Sequence, residues 1–205
     1  PRAAPGAYQV KLTVGGQTFT QPFEIRKDPR LQTTPEDFQK QLALLMRIRD
    51  KLTETHNAVS QIRDVKRQLN DLLTRAAEQP NAKPVIDAGR ALNAKLSAVE
   101  EELYQVKNQS SQDPLNFPIK LNNKLAALGS IVASADAQPT EQSFTLYEEL
   151  ASKIDAQLRQ LNQVMTTDLK SFNALVRSSD IPAVIIKPTA NAPAANAGGS
   201  EDEEN

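Results

Sequence analysis

No Gly or Pro interrupts residues 36–79, and this unbroken stretch limits the fold more than any other feature of the chain. Within it Phe38, Leu42, Leu45, Ile48, Leu52, Val59, Ile62, Leu69, Leu72 and Ala76 recur at spacings of three, four or seven. That period predicts one amphipathic helix of roughly 44 residues, about 65 Å long at the α-helical rise. A rod of this length outruns a compact globule, so its apolar stripe must be covered by other long helices in a coiled-coil-like bundle. Thr34-Pro35-Glu36-Asp37 marks its start. A threonine caps the helix, proline suits the first helical position, and the two acids face the positive end of the dipole.

Gln79-Pro80-Asn81-Ala82-Lys83-Pro84 breaks the rod. A second helix is predicted from about Pro84, with Val85, Ala88, Leu92, Leu96, Val99, Leu103 and Val106 on its inner face. After a polar connection from Asn108 to Pro118, a third and shorter helix carries Ile119, Leu121, Leu125, Leu128 and Val132. A fourth, long again, follows Pro139 and runs to about Arg177, its seam formed by Phe144, Tyr147, Leu150, Ile154, Leu158, Leu161, Met165, Leu169, Phe172 and Val176. Short connections force consecutive helices to lie antiparallel. The predicted fold class is mainly α: an elongated antiparallel bundle of four helices, two of them long, in which the two short helices share the length of the long pair.

Residues 7–26 follow a different period. Tyr8, Val10, Leu12 and Val14 alternate with Gln9, Lys11 and Thr13, and Phe19, Phe23 and Ile25 follow Gly15-Gly16. Two period-two runs about a Gly-Gly pair predict a β-hairpin with a positive-φ turn. A lone hairpin is marginal in water, so these strands are expected to be the last pair of an immunoglobulin-like β-sandwich whose other strands lie outside the chain. The opening Pro-Arg-Ala-Ala-Pro, with neither initiator Met nor apolar leader, reads as the interior of a longer protein. The expected division is a hairpin over 1–30, a helical bundle over 31–188 and a disordered tail over 189–205. The tail is rich in Ala, Asn, Pro and acids, and the short run Ile181–Ile186 before it is expected to lie extended against the bundle.

Composition narrows the chemistry. Lys plus Arg number 24 against 25 Asp plus Glu, without the basic excess of a nucleic-acid binder. The basic residues Arg47, Arg49, Lys51, Arg63, Lys66 and Arg67 are interleaved with Asp50, Glu54, Asp64 and Asp71, which reads as an ion-paired exposed face. No apolar run approaches a membrane span. With no cysteine and one histidine, thiolate chemistry and the usual tetrahedral metal sites are excluded, and no metal or cofactor is expected. Phosphate-binding glycine loops and nucleophile-elbow motifs are absent.

His56 falls four residues after Leu52 and three before Val59, which places it on the helix seam. Its functional reading is a base or pH switch; a structural seam histidine is preferred because no nucleophile or carboxylate cluster accompanies it. Glu100-Glu101-Glu102 and Glu148-Glu149 read as solvated helix faces, since adjacent helical residues diverge. The connection Gln112-Asp113-Pro114-Leu115-Asn116-Phe117-Pro118 is the most distinctive segment. Leu115 and Phe117 are expected to plug the bundle end, Asp113 and Asn116 to cap helix termini, and Pro114 and Pro118 to bracket the pair. A ligand-binding loop is the competing reading. No catalytic residue is assigned.

Three pieces of the chain carry a resemblance: Gly6–Gly16 with Ile25–Arg30, Leu44–Leu52, and Gln112–Leu125. In this order they resemble the C-terminal region of large bacterial sortilin-like proteins with Asp-box (BNR-type) β-propeller repeats, often labelled glycosyl hydrolases. The likeness spans roughly residues 6–188, and its Asp113–Pro118 motif is the most specific part. It implies an exported multidomain protein, secreted or held in the cell envelope, whose propeller precedes this segment and would own any hydrolase activity. No catalytic residue carries over, because none of the propeller's positions exists in this chain. The expected function is a non-catalytic scaffold or protein-interaction module, with that propeller as its first partner and self-association or an envelope protein as further ones. The alternative is an accessory domain that helps shape a glycosyl hydrolase's substrate site.

Overall fold

A computed structural model describes residues 1–77, 79, 81–110 and 112–179. The expectations for Ile181–Ile186 and for the tail lie outside these residues.

Strands β1 (Gly6–Val14) and β2 (Gln17–Ile25) pair antiparallel in register, from Gly6 opposite Ile25 to Val14 opposite Gln17. Gly15 and Gly16 close the hairpin at φ 58° and 81°. A two-residue turn with both central residues at positive φ matches the strands' twist, and glycine adopts that backbone without a Cβ clash.

Helix α1 (Pro35–Ala76) begins in a complete capping box. The Thr34 hydroxyl accepts from the Asp37 amide, and the Thr34 amide donates to the Asp37 carboxylate at 3.0 Å. Its core ridge is a strict heptad column, Gln41, Ile48, Thr55, Ile62, Leu69 and Ala76, every member buried. Thr55 tolerates full burial because its hydroxyl donates back to the Lys51 carbonyl at 2.7 Å.

Helix α2 (Lys83–Leu103) descends against α1: Gly89 lies under Leu73, and Glu100 meets Arg63. Helix α3 (Leu121–Val132) continues the descent, with Gly129 beside Ile48 and the end of the helix beside Gln41. Helix α4 (Glu141–Gln163) turns back and runs parallel to α1, with Arg47 paired to Glu148 and Lys51 to Asp155. The two short helices thus divide the length of α1 between them. Among the described residues the bundle comprises four helices, the last interrupted by a π turn at Val164–Asp168 before it resumes as α5 (Leu169–Ser178) against α2. One continuous aliphatic core runs from Leu44 to Val176.

Four details differ from the periodicity reading. Helix α2 stops at Leu103, leaving Val106 exposed, and α3 starts at Leu121, leaving Ile119 exposed. His56 is exposed, because the buried seam position is its neighbour Thr55, seven residues from both Ile48 and Ile62. In the fourth helix Val164 is buried in place of Met165. The π turn supplies the extra residue that brings Val164 and Leu169, five positions apart, onto the same side.

Candidate functional site

The hairpin is the feature whose packing is unfinished. Direct opposition places Tyr8, Val10, Leu12, Val14, Phe19 and Phe23 on one face of the ribbon. Gln9, Lys11, Thr13, Thr18, Thr20 and Glu24 occupy the other. The polar face is arranged as water requires, with the Thr13 and Thr18 hydroxyls 3.1 Å apart across the strands. The apolar face is equally exposed: Leu12 and Phe19, a directly opposed pair, each keep 58% of their surface accessible, and Val10, Val14 and Phe23 resemble them. Tyr8 and Phe23 stack near the base with ring centroids 5.8 Å apart. A contiguous stripe of six large apolar side chains is the kind of surface that proteins hide.

The base of the hairpin, in contrast, is anchored. Ala4 is buried, and the Tyr8 hydroxyl donates to its carbonyl at 2.7 Å. A cleft of about 180 Å³ forms where Ala4, Ile25 and Lys27 meet Phe38, Gln41 and Leu45. Below it the Thr33 hydroxyl donates to the Asp136 carbonyl at 2.6 Å. The Gln41 amide donates to the carbonyls of Val132 and Ala135 at 2.7 and 2.6 Å, closing the C-terminal end of α3 from a neighbouring helix. The flanks of the ribbon therefore rest on the α1–α3 end of the bundle while its strands stand clear.

The connection between α2 and α3 holds the remaining residues singled out by sequence. Asp113 opens a single 3₁₀ turn, Asp113–Leu115, and its carboxylate accepts from the amides of Gln109 and Ser110 and from the Ser110 hydroxyl. The two amide hydrogen bonds, followed by that of the hydroxyl, hold its pKa below the ordinary aspartate value. Asp113 thus ties its own loop together and caps no long helix. Asn116, Pro114 and Pro118 are exposed. Phe117 is half-buried beneath the Lys107 ammonium, which lies 5.7 Å from the ring centroid. Leu115 is 87% exposed, so it does not plug the bundle end. The 3₁₀ turn leaves Leu115 projecting into solvent, while Phe117 lies half-covered under Lys107. Gln105, buried at the end of α2, donates to the Pro118 carbonyl at 2.7 Å and fixes the far side of the loop.

The acidic groups disperse. Glu148 pairs with Arg47, Glu149 with Lys153, and Glu101 and Glu102 are exposed. Glu100 departs from the solvated face expected of its run: it is 3% exposed and accepts from Arg63 Nε at 2.7 Å and Lys66 Nζ at 2.9 Å. Its place four residues after Leu96 and three before Leu103 is a core position, a signal present in the sequence and masked by the two glutamates beside it. Burial, the largest influence, pushes its pKa up, and the hydrogen bonds from Arg63 and Lys66 outweigh it, holding the carboxyl below the ordinary glutamate value. Among the described residues no group of three or more His, Asp or Glu is placed to hold a metal ion, and no helix is long and apolar enough to cross a membrane.

Compared with known proteins, the chain matches no family model, no curated protein and no solved structure.

Proposed function

We propose that the chain is a non-catalytic scaffold and interaction module of a larger exported, sortilin-like β-propeller protein, joining that protein's β-rich part to a helical bundle. The observation that carries this reading is the mismatch between its two parts. The bundle buries its own leucines in a continuous core, whereas the hairpin offers an apolar face from Tyr8 to Phe23 that none of the other described residues covers. Water penalises such a face at about 25 cal/mol per Å² of apolar surface, so the surface favours a cover supplied by further strands. The anchored base supports the same reading, because it would hand the orientation of an attached sheet on to the α1–α3 end of the bundle. Export and the propeller come with the resemblance carried by Asp113–Pro118 and its companion segments.

The test is made on the protein expressed from its own uncut reading frame. Glutamate substitution of both Leu12 and Phe19 is expected to open the hairpin turn to proteolysis at residues 14–17 and leave the helical circular dichroism unchanged. A wild-type digestion pattern would defeat the proposal. Deleting residues 32–188 is expected to leave glycan turnover and affinity intact, while loss of either would favour an accessory role in a hydrolase.

A further inference from the structure

The hairpin has two outer edges as well as an apolar face, and the two edges are chemically unequal. A two-residue turn with both residues at positive φ makes Val14 and Gln17 the first hydrogen-bonded pair. Hydrogen-bonded and non-hydrogen-bonded pairs then alternate along an antiparallel ladder. Leu12–Phe19, Val10–Gln21 and Tyr8–Phe23 share the inner bonds, while Thr13–Thr18, Lys11–Thr20 and Gln9–Pro22 direct their backbone groups outward. Pro22 thus sits in an outward-facing position. Its ring nitrogen carries no hydrogen, so the outer edge of β2 lacks a donor in mid-strand between Thr20 and Glu24, at a site where a docking strand would need one. The outer edge of β1 is complete, with the amides of Ala7, Gln9, Lys11 and Thr13 all able to donate.

From this asymmetry we infer that the sheet continues past β1, not past β2: an extended strand of the protein's own β-sandwich pairs along Ala7–Thr13, with a second sheet covering Leu12 and Phe19. The inference rests on the proposed function, and it adds which edge is occupied and by what. Proline on an otherwise free edge is a known guard against unwanted strand addition, and β2 is thereby marked as the terminal strand of its sheet.

A second copy of this chain does not meet both demands. Two copies joined edge to edge through β1 leave both apolar faces in water. Two copies stacked face to face leave both β1 edges unpaired. Only a multi-stranded partner satisfies edge and face together.

Lys11 and Thr20 oppose each other and both point their amides outward, so proline at either position spares the hairpin's internal hydrogen bonds. In the uncut protein, Lys11→Pro is expected to make the turn at residues 14–17 protease-sensitive, and Thr20→Pro to leave it resistant. Amide exchange at Gln9, Lys11 and Thr13 is expected to slow more than about tenfold in the uncut protein relative to the 205-residue chain, with Thr18, Thr20 and Glu24 unchanged. Protection of β2 in place of β1, or equal sensitivity of the two proline variants, would overturn the edge assignment. If neither edge is protected while Leu12 and Phe19 are shielded, the edge assignment fails and the proposed function stands; if those side chains are also solvent-exposed, both fall. Protection that rises with the concentration of the 205-residue chain alone would overturn it in favour of self-pairing.

Discussion

Glu100 on α2 and Arg63 on α1 form a 2.7 Å ion pair whose two halves live in different solvents: the carboxylate is buried, and half of the guanidinium side chain reaches water. Arg63 also lies over the Tyr104 ring, 4.7 Å from its centroid, and Lys66 completes the neutralisation from one turn further along α1. The pair ties two antiparallel helices together at the level where α2 ends.

Removing the buried member should be the more costly change. Glu100→Ala leaves Lys66, three-quarters covered, without its partner and opens a void, and is expected to cost about 1–3 kcal/mol. Arg63→Ala should cost less, since Lys66 still neutralises the carboxylate. Urea melts of the two variants check the order.

Acid should loosen the same joint. Because the folded pKa of Glu100 lies below its ordinary value, its ionised form stabilises the fold above the unfolded pKa of about 4.3, and that contribution disappears as pH falls through the folded value. Asp37, held down first by the Thr34 amide, and Asp113 act in the same direction. Wild type should therefore lose stability from pH 6 to pH 3 more steeply than Glu100→Gln, and the difference between the two curves isolates this residue.

The heptad column gives a contrast between neighbouring positions. Ile62→Ala, at a fully buried site, is expected to cost about 2–5 kcal/mol. His56→Ala, on the outer face, should stay within about 0.5 kcal/mol of wild type. Leu52 is only partly buried, so Leu52→Ala should fall between them in thermal or urea melts.

Gln41→Leu keeps the bulk of the side chain and removes two donors. The Val132 and Ala135 carbonyls lose their partner, and a destabilisation of about 1–2 kcal/mol is expected, with faster amide exchange at the end of α3 as the local signature.

In the 205-residue chain, Leu12→Thr with Phe19→Thr should reduce binding of a hydrophobic dye and leave the helical melting transition in place, because neither side chain contributes to the core. A lowered helical melting temperature would show the hairpin face to be part of the bundle.

Most of the architecture was legible in the sequence. The Thr34 cap, the Gly15-Gly16 turn, the long first helix and the two short helices sharing its length follow from local backbone preference and apolar spacing. The misses have particular causes. Leu52 and Val59 suggest a seam through His56, one residue off, because Thr55, polar by composition, fills the core position with its hydroxyl satisfied internally. Leu115, apolar by composition, suggests a plug, but in the 3₁₀ turn that opens at Asp113 its side chain projects into solvent. The apolar alternation of the hairpin was visible from sequence, whereas its unequal edges needed the register that places Pro22 opposite Gln9.

By itself, the sequence determined which segments form helices and strands and most of the apolar stripe on each, because capping, turn geometry and periodicity are properties of neighbours along the chain. Tertiary structure alone decided which two cations, Arg63 and Lys66, flank the buried Glu100, that Gln41 closes a helix ninety-one residues away, and that a π turn keeps Val164 and Leu169 on one side. Each of these depends on what stands opposite a residue in space, and the one-dimensional pattern does not carry that information.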